Sequence, residues 1–406
     1  MGQFFIRGGG KLSGEICVGG SKNAALPIIF SCILIYGKST LTNVPDITDV
    51  EIALDILRDF GALTERVGDK VTIDTTKLVY KTPNEAKVSK LRASSYLIGA
   101  SLSRFGRAEL QRFGGCNFDN RPIDMHIYAA TALGAKICGN LLTADRLYGG
   151  DIVFDKISVG ATVNAILLAS AAEGVSRIYG YAREPHIMSL IEFLNRAGAK
   201  IELFEDFILV RGERLTSSFS NIIGDMIEAG TYLALSLATE SELKVSGVNP
   251  KELQSFTDAC VACGAVAELY DNSMSFSGRI TEPMHIRTAP YPAFPTDLQP
   301  EIAPLMACSA GGSIFEGVWK NRFGYLAELS KFGISSESKD GCAIIRKSDI
   351  YPARANATDL RCGAALLIAA LCADGESVIC GSEIIKRGYS DIVSKLRKIG
   401  ADIKEF

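Results

Sequence analysis

Six stretches of the chain are apolar on nearly every face: NAALPIIFSCILI, ASSYLIGASL, VGATVNAILLASAA, AGTYLALSLA, EIAPLMACSA and CGAALLIAAL. A helix without a polar face has to be buried. After each comes a small-residue turn that leads into a strand. Gly37, Gly106, Gly174, Gly312 and Gly375 mark five of these turns, and Glu240-Ser241 marks the weakest. Next comes an amphipathic helix that ends in glycine and runs into a strand of two-residue period. This phrase reads LRDFGALTERV, ATALGAKICG, LNRAGAKIEL, CVACGAVAELY, LSKFGISSES and LRKIGADIKEF. Its glycines are Gly61, Gly134, Gly198, Gly264, Gly333 and Gly400, spaced 64 to 73 residues apart. Glycine accepts the left-handed conformation at a helix C-terminus at little cost, which accounts for the residue type.

The repeating unit is therefore a buried helix, a strand, an amphipathic helix and further strands, of roughly 67 residues. That exceeds the ~20–50 residues of common solenoid repeats and favours closed domains. Three units can wrap three buried helices in a shell of sheets and outer helices. Six units make two similar α/β domains.

Composition narrows the function. The 406 residues carry 43 basic and 46 acidic side chains, a net charge of −3, so no basic excess suggests nucleic acid. Eleven cysteines lie mostly in apolar runs and read as buried free thiols, which fits a reducing cytoplasm. The start, MGQFFIRGGGK, lacks the pattern of a secretory leader, and Ile6 breaks the myristoylation motif. No apolar run reaches the ~18 uninterrupted residues of a membrane span. The expectation is a cytoplasmic protein with no membrane partner.

Candidate chemistry stands at the starts of the buried helices. There lie Ser21-Lys22-Asn23, Lys90-Leu91-Arg92, Lys156-Ile157-Ser158, Asp225 to Glu228, Thr296-Asp297 and Asp359-Leu360-Arg361. Helix N-termini attract anions, and Asp, Ser, Thr and Asn are ordinary caps there. Lys22, Arg92 and Arg361 oppose the dipole. Each alone reads as a salt bridge or an exposed end, but three cations at equivalent points suggest a phosphorylated, anionic ligand. The segment FGGCNFDNRPIDMH sets Cys116 on a glycine-rich turn near Arg121, where a thiol can act as nucleophile or proton donor. An inert loop cysteine is the plain alternative. In RTAPYPAFPTDLQ three prolines deliver Asp297 to a helix start, as a cap or as a general base. Arg322 and Arg387 each open an amphipathic helix, and each alone reads as a surface residue. Cys260-Val-Ala-Cys263 has no second ligand pair for zinc, and His186 and His285 read as structural.

These motifs, taken in order, resemble the UDP-N-acetylglucosamine 1-carboxyvinyltransferase family, the enolpyruvyl transferases of peptidoglycan synthesis. The resemblance runs from Phe5 to the C-terminus. It rests on GGSKNAALP, KLRAS, GGCNFDNRPIDMH, SVGAT, AREPHI, RTAPYPAFPTDLQ, NRF, TDLR and RGY. It implies a two-domain inside-out α/β barrel of the EPSP synthase type, with three repeats per domain. The first domain would be 1–21 with 225–406. The second would be 22–224 and would carry the cysteine loop, about 112–122.

The implied reaction moves enolpyruvyl from phosphoenolpyruvate to the 3′-hydroxyl of UDP-N-acetylglucosamine and releases phosphate. By the family pattern Cys116 donates the proton and can form an adduct with phosphoenolpyruvate. Lys22, Arg121 and Arg387 hold its anionic groups, with Lys22 also in the chemistry. Arg322 and Arg361 line the site, and Asp297 contacts the 3′-hydroxyl as candidate base. Asn23, Arg92, Arg121, Pro122, Ile123, Asp124, Met125, Lys156, Ile157, Ser158, Val159, Asp297 and Val318 map onto the sugar-nucleotide contacts. No metal or cofactor is implied, and the assembly is expected to be a monomer or weak homo-oligomer.

The chain departs from the pattern at several points. Asn117, Phe118 and Asp119 follow Cys116 where the family ends this stretch in glycine, and Phe113 replaces a proline. Lys320 stands where an acid precedes NRF, and Lys386 and Ser390 flank RGY where acids are usual. Asp119 lacks glycine's freedom in the lid that Cys116 occupies. A paralogue with another acceptor, and a catalytically weak sugar-nucleotide-binding regulator, are the two alternatives.

Overall fold

Six β-sheets carry the chain in a computed structural model that describes residues 2–115 and 122–406. The loop residues Cys116 to Arg121 lie outside the described residues. Three sheets belong to a continuous unit, Gly20–Ile223, and three to a split unit, Met1–Gly19 with Gly224–Phe406. The sequence expectation set the crossings at 21/22 and 224/225.

Five sheets share one order of strands. In the continuous unit one runs Ser218–Asn221, Lys38–Thr42, Lys70–Asp74, Leu63–Val67, and another Asp151–Val153, Val175–Tyr179, Phe207–Arg211, Lys200–Leu203. The split unit has Ser13–Cys17, Glu242–Ser246, Ser273–Gly278, Ala265–Tyr270, then Met284–Thr288, Gly312–Glu316, Cys342–Ile345, Ser336–Lys339. Its third sheet is Arg354–Asn356, Gly375–Cys380, Gln3–Gly8, Asp402–Glu405. In each of the five the first pair is parallel and the other two are antiparallel. Among the described residues the sixth sheet, Arg107–Glu109, Leu141–Thr143, Lys136–Cys138, has the antiparallel part alone.

A parallel pair needs a crossover, and the buried helix supplies it. Val159–Ala171, Gln299–Cys308 and Leu360–Cys372 each join the two parallel strands of their own sheet. At the two crossings the strands are exchanged. Ser13–Cys17 precedes the helix Lys22–Ser31 in sequence but pairs with Glu242–Ser246 in the split unit. Ser218–Asn221 precedes the helix Met226–Ala238 but pairs with Lys38–Thr42 in the continuous unit. Each unit therefore closes with a strand from a distant part of the chain.

The six apolar stretches form the helices Lys22–Ser31, Leu97–Phe105, Val159–Ala171, Met226–Ala238, Gln299–Cys308 and Leu360–Cys372. Every residue from Leu360 to Leu371 is buried, as the absence of a polar face requires. Each unit has one hydrophobic core, and the helices packed inside it are these. The outer helices are amphipathic. Thr48–Asp59 buries Val50, Ala53, Leu54, Ile56 and Leu57 and leaves Glu51, Asp55, Arg58 and Asp59 wholly or partly exposed, while its Asp49 is buried. The six helix-terminal glycines all take positive φ, from 87° at Gly333 to 111° at Gly264, the conformation for which their residue type is suited.

Leu366 is fully buried in the split unit. Leu366→Ala is expected to destabilise it by about 2–5 kcal/mol, read as a shift in denaturant midpoint. A loss below about 1 kcal/mol would contradict the close packing described here.

Candidate functional site

The starts of the buried helices in the split unit hold a cluster of charge. Three aspartates occupy comparable places, and they behave differently. Asp225 caps its helix, its Oδ1 accepting from the N–H groups of Ile227 at 2.8 Å and Glu228 at 3.2 Å. Asp359 does the same, accepting from Arg361 at 2.9 Å and Cys362 at 3.0 Å. Asp297 does not cap. Leu298 holds the N-cap position of Gln299–Cys308, with no side-chain hydrogen bond. The plain capping alternative is thereby removed for this residue.

Asp297 instead faces two guanidiniums. Arg322 Nη2 lies 2.8 Å from its Oδ1, and Arg361 Nη2 donates to its Oδ2 at 3.2 Å. Both arginine side chains are 7% exposed, whereas 32% of Asp297's stays accessible. Partial burial pushes the Asp297 carboxyl up. Arg322, and then Arg361, outweigh it and hold the carboxyl well below the usual carboxylate range. Asp297 is thus an ionised, partly accessible carboxylate between two buried cations.

The arginines are themselves positioned from behind. Arg322 donates to Thr296 Oγ1 at 3.0 Å, and Thr296 donates to Glu316 at 3.0 Å. The buried Glu316 also accepts from Thr288 at 2.6 Å and from the N–H groups of Val318 and Trp319. This fixes the turn that bears Val318 and leads to Arg322. Arg322 precedes a short helix, Tyr325–Leu329, but is buried rather than on the surface. Arg361 Nη1 donates to the Tyr389 hydroxyl at 3.1 Å. Tyr389 bonds Glu301 and Thr231, each at 2.8 Å. Arg387 lies two residues before Tyr389, half-buried. The two basic departures in this unit sit on the surface. Lys320 is exposed, and Lys386 pairs with Glu405 at 3.2 Å.

In the continuous unit Lys22 opens its helix and pairs with Asp49 at 2.9 Å. Asp49 is 1% exposed, so this carboxylate orients the lysine from a buried position. Asn23 follows, half-buried. Arg92 begins the 3₁₀ turn Arg92–Tyr96, and burial draws its guanidinium's pKa down against the pull of Tyr96. Asn164 joins the neighbouring elements. It contacts His126 Nδ1 at 2.7 Å, donates to Ser95 O at 3.2 Å and accepts from Gly99 N at 2.6 Å. Burial, then Arg92, pushes His126 down to about 4, so it is neutral at physiological pH. Pro122 and Ile123 lead into the helix Asp124–Ala132, which contains Met125 and His126. Lys156 and Ile157 are exposed. Ser158 caps the helix that Val159 opens, accepting from Ala161 at 3.3 Å.

Cys116, Arg121 and the departures Asn117, Phe118 and Asp119 lie outside the described residues. Asp49, Glu301, Tyr389 and Thr231 were not singled out from sequence. Asp49 and Glu301 read as ordinary first-turn acids, and Tyr389 reads as a core aromatic beside a predicted arginine. Among the described residues no group of His, Cys, Asp and Glu could hold a metal ion, and no helix is long and apolar enough to cross a membrane.

Residues 6–396 match the family model of EPSP synthase (3-phosphoshikimate 1-carboxyvinyltransferase). The chain is 40% identical to UDP-N-acetylglucosamine 1-carboxyvinyltransferase 3 of Caldanaerobacter subterraneus subsp. tengcongensis, over 99% of each. It is 39% identical to the UDP-N-acetylglucosamine 1-carboxyvinyltransferase of Halothermothrix orenii, over 100% of each. Two solved structures share the fold. They are the enolpyruvyl transferase NikO from Streptomyces tendae, at TM-score 0.87 and 24% identity over 100% of this chain and 99% of that one, and EPSP synthase from Acinetobacter baumannii, at TM-score 0.72 and 17% identity over 100% of each. With a family model spanning nearly all of it and near-full-length relatives at about 40% identity, the chain belongs to the EPSP synthase family, among its UDP-N-acetylglucosamine 1-carboxyvinyltransferase members.

Proposed function

We propose that the chain transfers enolpyruvyl from phosphoenolpyruvate to the 3′-hydroxyl of UDP-N-acetylglucosamine, releasing phosphate, as an early step of peptidoglycan synthesis. The observation that carries this reading is Asp297, ionised and partly accessible between Arg322 and Arg361, in a chain of this family. The reaction needs three things. The methylene carbon of phosphoenolpyruvate takes a proton as the sugar oxygen bonds to the neighbouring carbon. The sugar hydroxyl gives up its proton. The tetrahedral adduct then loses phosphate and one methyl proton, which restores the double bond.

The reading assigns the first proton to Cys116 and the hydroxyl proton to Asp297. Lys22, Arg121 and Arg387 hold the anionic groups of phosphoenolpyruvate. Asn23, Arg92, Pro122, Ile123, Asp124, Met125, Lys156, Ile157, Ser158, Val159 and Val318 take the sugar nucleotide. In its resting pairs Asp297 is a weak base. An anionic substrate that takes up part of the arginines' charge raises its basicity when the hydroxyl is beside it. Fixed cations that meet developing negative charge supply the electrostatic part of catalysis. The same reading places the enzyme in the cytoplasm as a monomer or weak homo-oligomer. Ten free thiols among the described residues fit a reducing compartment.

The test is phosphate release from phosphoenolpyruvate with UDP-N-acetylglucosamine, with shikimate 3-phosphate, or with no acceptor. Release is expected only with the sugar nucleotide and is expected to collapse in Cys116→Ala. Release with shikimate 3-phosphate alone, or none from a wild type that still binds the sugar nucleotide, would overturn the reading.

A further inference from the structure

Glu301 is a buried acid for which the reaction above has no use. It sits in the first turn of Gln299–Cys308 and is fully buried. Its Oε1 accepts from the Tyr389 hydroxyl at 2.8 Å and lies 3.8 Å from Arg361 Nη1. Its Oε2 has no hydrogen-bond partner. One hydrogen bond and one guanidinium at 3.8 Å are poor compensation for a full charge removed from water.

Arg361 comes from the start of Leu360–Cys372, Tyr389 from the turn before Ile392–Lys398, and Thr231 from Met226–Ala238. Asp297 lies on the segment leading into Glu301's own helix, paired with Arg322. Asp225 acts on Arg361. Behind Tyr389 lie Tyr232 and Asp391, and Tyr232 donates to Glu228, which is paired with Lys395. The Thr231 hydroxyl has Ile227 O at 2.8 Å as well as Tyr389, so its one proton is shared between them; Arg361 donates to Tyr389, and Tyr389 donates to Glu301.

With Glu301 uncharged, Arg322, Arg361 and Asp297 sum to one net positive charge. With Glu301 ionised they sum with it to zero. The carboxyl thus decides whether this cluster presents a cation to an anionic substrate. We propose that Glu301 is a positioning residue that works uncharged: it anchors Tyr389, which aims the Arg361 guanidinium toward Asp297 and the anionic substrate, and on ionising it draws that charge back into the core. The proposal rests on the phosphoenolpyruvate reading given above. Burial pushes the Glu301 carboxyl up to about 8, against the pull of Arg361, so the change falls within an accessible pH range.

The experiment compares kcat and KM for phosphoenolpyruvate between pH 7 and 9 in wild type, Glu301→Gln and Glu301→Ala, with thermal unfolding followed in parallel. Gln keeps the uncharged shape and the acceptor for Tyr389. The ratio of kcat/KM in Glu301→Gln to that in wild type is expected to grow up to about tenfold between pH 7 and 9, through KM rather than kcat. Other groups that titrate, Cys116 among them, cancel in this ratio. Ala is expected to lose activity at every pH, and Gln to restore it at pH 9. Parallel profiles for wild type and Gln, or a change confined to kcat, would overturn the proposal. If wild type releases no phosphate at all, the functional reading fails instead. Binding of inorganic phosphate across the same pH range then decides the question: weakening above pH 8 in wild type but not in Gln supports the proposal, and equal weakening overturns it.

Discussion

Asp297→Asn is expected to lower kcat by about 10²–10⁴-fold, the usual contribution of a positioned general base. The change keeps the size of the side chain and one acceptor oxygen, and it removes the charge that Arg322 and Arg361 share. The arginines then face each other without their common counter-ion. Substrate anions can replace it, so KM for phosphoenolpyruvate is expected to change less than kcat. The pH dependence has a definite sign. The folded-state pKa of Asp297 lies below the unfolded value of about 3.9, so its ion pairs stabilise the fold above that pH and are lost as pH falls through the folded value. Asp297→Asn is therefore expected to blunt part of the acid sensitivity of the melting temperature below about pH 4. A variant whose kcat stays within about fivefold of wild type would remove Asp297 from the base role.

Arg361→Met is expected to destabilise the split unit more than any surface charge change. The side chain is 7% exposed and contacts Asp297, Tyr389 and Glu301. Removing one partner of a buried ion pair costs about 3–5 kcal/mol, an upper bound here because Asp297 keeps Arg322 while Tyr389 loses its cationic donor. For a unit of this size that corresponds to a fall of roughly 6–20 °C in melting temperature. Calorimetry would check it. A shift below about 2 °C would mean that Asp297's accessible face lets water replace the guanidinium.

Much of this architecture could be read from the chain because it repeats. The buried helices, the outer helices and the terminal glycines are local patterns, and the six glycines adopt positive φ as their residue type implies. Strand exchange left no such local mark. Ser13–Cys17 reads as a strand in either unit, and only its pairing with Glu242–Ser246, more than 220 residues away, assigns it. The site shows the same division. Lys22, Arg92, Asp297 and Arg361 stand out because cations and an acid sit at equivalent helix starts. Local rules also make Asp297 a cap, and the structure puts Leu298 there instead. Asp49 and Glu301 could not be found this way, since a first-turn acid is ordinary. What distinguishes them is burial beside a cation, which depends on packing between distant segments.

Pairings between distant strands also set an order of events during synthesis. Gly20–Ile223 has every strand of its sheets once residue 221 has emerged, and it can fold while the rest is still being made. The split unit has to wait. Gln3–Gly8 pairs with Gly375–Cys380 and with Asp402–Glu405, the last strand of the chain. At about 5–20 residues per second, the first strand made spends roughly 20–80 s without its partners. Its apolar Phe4 and Ile6, both buried in the finished fold, are exposed throughout that interval. A nascent chain stalled shortly before residue 375 would therefore hold a finished half beside an unpaired strand, the stage at which chaperone capture or aggregation competes with folding.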